Sequence, residues 1–140
     1  MPLTLTPHEA LVYIMITTSA ADGRITELEL QEISDLVERM PVFSGFTTDS
    51  IPHLAEDCVK LLSDDEGTGL EKMLELVKES LTPRLHETAY ALAVEVAAVD
   101  LVAEQEELRF LELMRDTLDI DMLVAAAIER SARIRYRTLV

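Results

Sequence analysis

Apolar side chains recur at helical spacing along most of the chain. Leu85, Ala89, Leu92, Val96, Val99 and Ala103 follow a 4-3-4-3-4 interval, which is a core-facing seam. The adjoining row of Thr88, Ala91, Ala98 and Val102 is small or apolar too, interrupted by Glu95. A helix apolar on nearly every side is one packed on most sides. Leu11, Val12, Ile14, Met15 and Ile16 likewise cover more than one face of an early helix. Residues 26–39 and 103–117 differ, with apolar stripes backed by Glu-rich faces. The pattern predicts two central buried helices wrapped by amphipathic ones.

Punctuation between these runs sets the element boundaries. Thr6-Pro7-His8-Glu9 supplies a capping Thr, Pro in the first helical position and Glu three after the cap. The helix it opens should reach about residue 21. Thr26-Glu27-Leu28-Glu29 is a second capping box, and its helix should end before Met40-Pro41. Residues 41–48 form a loop whose Phe43 and Phe46 should tuck into the core. Further helices are expected over about 50–63, 67–80 and 82–99, the last opened by Thr82-Pro83. A sixth covers about 103–117, and Asp119-Ile120-Asp121 starts a seventh that runs to about 136. The expected fold class is therefore all-α, with about seven helices.

The two halves resemble each other. At an offset of 78 residues, Asp22 falls on Asp100, Glu29 on Glu107, Leu30 on Leu108 and Ile33 on Leu111. Each half reads as a buried helix, an Asp at its end, a short corner, a Glu seven residues on, and an amphipathic helix. This predicts an internal duplication with pseudo-two-fold symmetry inside one domain spanning 1–140. Repeat one covers about 6–40 and repeat two about 82–118.

Composition agrees with a folded helical domain and narrows the partners. Hydrophobic residues make up 49% of the 140, aromatics only 4%, and Gly and Pro are few. The net charge of −15 argues against nucleic acid, which is held by basic side chains that displace counterions. It favours cations, or basic surfaces on partners. All 27 acidic residues precede residue 130. The segment 130–140 carries Arg130, Arg133, Arg135 and Arg137 and no acid. On a helix, Arg130, Arg133 and Arg137 share a face. That face either offsets the protein's own negative field or docks an acidic partner or membrane surface. The one cysteine, Cys58, lies at helical spacing from Leu54, Leu61 and Leu62 and reads as a buried thiol. No signal peptide and no membrane span is expected, so the location implied is cytoplasmic.

The stretch Ala20-Ala21-Asp22-Gly23-Arg24-Ile25-Thr26-Glu27-Leu28-Glu29 resembles the signature of the TerB-like family, the tellurite-resistance TerB proteins and their relatives. Ala97 to Asp121, ending in Leu118-Asp119-Ile120-Asp121, is similar to the family's second copy. The resemblance covers about 7–130. It implies an all-helical duplicated fold and a non-enzymatic bacterial stress-response role. That role is tied to tellurite or other toxic-ion resistance and to metal-linked complexes at the inner face of the membrane. Its acidic pattern falls on Asp22 and Glu29 in the first copy and on Asp100 and Glu107 in the second. The second corner departs from the pattern, with Leu101 in place of the glycine and Ala103 where a capping Thr would stand.

Those four carboxylates are the candidate metal ligands. Hard cations such as Ca²⁺ or Mg²⁺ take several oxygen ligands, and a pseudo-two-fold would bring two acidic corners together. The competing reading is structural. Glu29 completes a capping box with Thr26, and Asp22 accepts corner N–H groups or favours a helix N-terminus. Ser63 to Gly69, with Asp64, Asp65 and Glu66, reads as a charge bias at a helix start. Glu95, in the middle of the most buried helix, needs an arginine or hydroxyl partner; Thr17 and Tyr13 are the candidates, the alternative being a proton or metal switch. His8 and His86 follow Thr-Pro caps and are expected at the surface. No nucleophile motif, phosphate loop or zinc spacing is present. The favoured function is a non-enzymatic TerB-like interaction domain that binds divalent cations at its corners. The alternative is a metal-independent protein-interaction module, with a basic C-terminal face or an apolar groove around Phe43 and Phe46. It would dock a partner or self-associate.

Overall fold

A computed structural model describes residues 4–20, 24–63, 66–99 and 105–139. Among these it is all-helical, with α1 (Pro7–Ser19), α2 (Glu27–Arg39), α3 (Ile51–Leu62), α4 (Gly69–Ser80), α5 (Pro83–Val99), α6 (Gln105–Thr117) and α7 (Met122–Arg135). Short 3-10 turns at Pro41–Phe43 and Thr48–Ser50 join α2 to α3.

Helix starts obey the capping chemistry. The Thr6 and Thr26 hydroxyls each accept from the backbone N–H three residues on, of Glu9 and Glu29, at 3.1 Å. Both glutamates reach back to the cap N–H at 2.9 Å. Asp121 caps α7, its Oδ2 accepting from Leu123 and Val124. The turn before it closes α6 with Asp119 at φ 54°, the Ile120 N–H bonding the Arg115 carbonyl. That left-handed residue with its long backbone bond is a Schellman ending built on Asp rather than Gly.

At the centre lies α1, packed on α2, α3, α4, α5 and α6. Every residue from Ala10 to Thr18 is buried. Thr17 and Thr18 fit this apolar setting because their hydroxyls donate to the Tyr13 and Ile14 carbonyls at 2.8 Å. The second central helix, α5, packs on α1, α6 and α7. Its buried set includes His86, Tyr90, Ala93 and Ala97 beside Ala89 and Leu92. The 4-3-4 seam is therefore only one of its buried faces, and Val96 and Val99 on that seam are half-buried. By contrast α7 rests chiefly on α5. Only Ala125 and Ala132 of α7 are fully buried, while Met122 and Leu123 stand in solvent.

Two histidine expectations are corrected. His86 is buried, its Nε2 donating to the Lys78 carbonyl at 3.1 Å. His8 is half-buried, donating to the Val42 carbonyl at 2.9 Å and packing on Phe43 and Phe46. An imidazole in a first turn still faces inward when a neighbouring segment offers it a carbonyl. The same packing removes the expected groove around Phe43 and Phe46. Phe43 is 2% exposed and the two rings close on each other and on His8, so they are core rather than an open surface. Glu66 precedes α4 by three residues and lies 3.7 Å from the Lys72 ammonium, so it belongs to a turn and not to the helix start. Asp64 and Asp65 lie outside the described residues.

Candidate functional site

Two open clefts flank α5. The larger, about 1030 Å³, lies between α6 and α7. Its floor is apolar: Val94, Ala97 and Ala98 of α5, with Leu111 of α6 and Ala132 of α7. Its walls are basic. Arg109 and Arg115 come from α6, and Arg130, Arg133 and Arg137 come from α7 or just beyond it. Glu112 and Glu129 are the acidic residues that line it.

Two polar clasps tie α7 down at this cleft. In one, Tyr90 donates to Glu129 Oε2 at 2.6 Å and Arg115 Nη1 donates to the same oxygen at 3.0 Å. Burial, then the bond to Glu129 and its negative charge, pushes the Tyr90 hydroxyl far above its ordinary pKa, so it stays a donor. In the other, Arg135 grips Glu95 with both ends of its guanidinium, Nη2 at 2.7 Å from Oε1 and Nη1 donating to Oε2 at 3.1 Å. Tyr136 also donates to Glu95 Oε2. Burial alone would raise the Glu95 carboxyl. The bonds from Arg135 and Tyr136, with the positive charges of Arg135 and Arg39, overcome that and hold it below the usual carboxylate value. An arginine and a hydroxyl partner Glu95, as burial requires, but they are not Thr17 and Tyr13. Thr17 is spent on the Tyr13 carbonyl. Both carboxylate oxygens of Glu95 are thus engaged.

With Arg115 and Arg135 committed, four rim arginines remain: Arg109, Arg130, Arg133 and Arg137. All four are exposed, and among the described residues none bonds to or pairs with another side chain. Helical spacing placed Arg130 and Arg133 on one face of α7, but Arg137 lies past the helix end and reaches the cleft from the coil rather than from a shared helical face. Arg109 was not legible in the sequence, because only the tertiary fold brings α6 opposite α7.

The smaller cleft, about 260 Å³, is lined by acidic residues from both halves of the chain. Glu29 and Glu32 of α2 line it with Glu107 of α6, over Val96 and Val99 of α5. Glu107 is 8% exposed. Asp22 and Asp100, the other candidate ligands, lie outside the described residues. Glu32 was missed, although it stands three positions after Glu29 on the same helix face. Glu29 Oε1 accepts the Thr26 N–H, so part of its capacity serves the cap. Among the described residues, no group of three or more His, Cys, Asp or Glu is disposed to hold a metal ion.

Cys58 is fully buried, its Sγ 3.4 Å from the Thr17 hydroxyl. Burial pushes the thiol up to about 11, which keeps it protonated and inert as a nucleophile. No described helix is long and apolar enough to cross a membrane. No family model, curated protein or solved structure matches the chain.

Proposed function

We propose that the chain is a non-enzymatic interaction domain that docks a protein partner through the arginine-rimmed cleft over α5. One observation carries this reading. In a chain of net charge −15, four exposed arginines surround an apolar floor and have no partner among the described side chains. Arginines that served only to offset the protein's own field would be drawn onto its many carboxylates, as Arg115 and Arg135 are. The resemblance of the two corners to the TerB-like pattern supplies a cellular setting. It is a bacterial stress-response assembly linked to tellurite and other toxic ions, beside the inner membrane face. Quantitative capture on the wild-type chain, on Arg130→Glu/Arg133→Glu and on the distant control Lys60→Glu tests the docking surface. Rim charges steer association, so the captured set should fall by about tenfold or more in the cleft variant and persist in the control. An unchanged set sinks the reading.

A second reading is divalent-cation binding at the acidic cleft, favoured by the convergence of Glu29, Glu32 and Glu107. Ca²⁺ or Mg²⁺ would be held there, with Asp22 and Asp100 as the further ligands that the sequence pattern proposes. Glu29→Gln separates this from capping, because Gln at the third helical position also closes a capping box. Metal-stripped protein titrated with Ca²⁺ or Mg²⁺ should gain about 2.7 kcal/mol at a hundredfold excess over Kd. Glu29→Gln/Glu107→Gln should abolish the gain. No rise in the wild type leaves the cleft as structure.

A further inference from the structure

The larger cleft is long enough to take a short helix. Its residues span Tyr90–Ala98 on α5, Leu108–Arg115 on α6 and Glu129–Arg137 on either side of the end of α7. At 1.5 Å per residue that is a trough of about 12 Å, room for a little over two helical turns. Val94, Ala97 and Ala98 form a small-residue row along its floor, low enough for another backbone to approach closely. Helices in grooves are anchored by apolar residues at i, i+4 and i+7, and that span matches the trough.

Charge selects among occupants. The four free rim arginines stand on both walls, so an occupant needs carboxylates on both flanks of its apolar stripe. An anionic membrane is a poorer match. It would have to approach a molecule whose acids outnumber its bases by 27 to 12, and like charges repel across such a surface. A segment that enters the trough alone meets four arginines unpaired among the described residues against one exposed carboxylate, Glu112 on the α6 wall, since Glu129 is held by Arg115. We infer that the α6–α7 cleft receives an acidic amphipathic helix of a partner protein. Its apolar stripe lies on Val94, Ala97, Ala98 and Leu111, and its flanking carboxylates meet Arg109, Arg130, Arg133 and Arg137. This rests on the docking reading above and adds the chemistry of the partner.

The test uses the full 140-residue chain and a fluorescein-labelled designed peptide of about fourteen residues, Leu at i, i+4 and i+7 with Glu on both flanks. Its controls are a scramble of the same composition and a version with Lys in place of Glu. The acidic amphipathic peptide should bind with a Kd below about 100 μM, more weakly as salt rises. Arg130→Glu/Arg133→Glu should weaken it by about tenfold or more. Both arginines are exposed and make no bonds among the described residues, so an unchanged thermal midpoint confirms that the variant is folded. Ala98→Trp, at a half-buried floor position and without touching charge, should also block the peptide. Equal binding of the scramble overturns the inference. So does flotation of the protein with phosphatidylglycerol vesicles in place of peptide binding. If the peptide fails while the cleft variant still loses its captured partner, the helix inference falls and the docking surface stands. If neither responds, both fall.

Discussion

Single residues carry constraints whose sign depends on their surroundings. Gly69 opens α4, where a residue with a higher helix propensity would ordinarily help by about 1 kcal/mol or less. Here a Cβ would lie 2.3 Å from the Leu61 carbonyl oxygen and 2.8 Å from that of Leu62. Backbone carbonyls at the end of α3 cannot swing aside as a side chain could. Gly69→Ala should therefore destabilise the fold, by about 1–3 kcal/mol, as overpacking does. Chemical denaturation of the two proteins measures it, and a more stable variant would show that the α3–α4 corner is slack. Glu95 illustrates the opposite dependence. Read by itself it is an anomaly in an apolar helix, and its need for a partner is legible. Which partner is not legible, since Arg135 and Tyr136 come from forty residues away and no spacing rule connects them.

At the level of the element, α7 is the outlier. Other helices are held by apolar stripes, but α7 buries only two alanines completely and relies on its clasps to α5 and α6. Glu95→Gln keeps the shape and removes the ion pair. Arg135 is half-exposed and recovers water, so the loss should be modest, about 1–2 kcal/mol after solvent screening. The pH dependence has a definite sign. The folded Glu95 carboxyl titrates below its ordinary value of 4.5, so its contribution is complete above that value and is lost as pH falls through the lower folded pKa. The stability gap between wild type and Glu95→Gln should be constant near neutrality and shrink in acid; a gap that widened below pH 4.5 would contradict the clasp. Helix ends were the most legible features, because capping boxes and Thr-Pro steps are local chemistry. Faces of α5 were the least legible. A helix with neighbours on several sides has no single stripe, so the 4-3-4 seam named Ala89 and Leu92 correctly and left out Tyr90, Ala93 and Ala97.

On the scale of the whole molecule, charge is sorted. The acidic cleft and the arginine-rimmed cleft flank the same helix, α5. The sequence disclosed half of each. It named Glu29 and Glu107 from a similarity between the two halves, and Arg130 and Arg133 by helical spacing, whereas Arg137 joins the cleft from beyond the end of α7. Glu32, Arg109 and the clasp of Tyr90, Glu129 and Arg115 required the tertiary fold, since their meaning comes from what stands opposite them. Opposite charges are thus presented on two sides of α5, which supplies floor residues to both clefts.

The wrapping of α1 has a consequence for how this chain tolerates change. Nine successive buried positions, Ala10 to Thr18, leave that segment no solvent-facing side on which substitutions could drift without cost. Its amides are reached by water only when the surrounding helices come apart, so their exchange clock keeps time with global opening, while α7 can fray on a faster one. A lineage carrying this domain would be expected to rewrite its outer helices freely and to leave those nine letters almost as they stand.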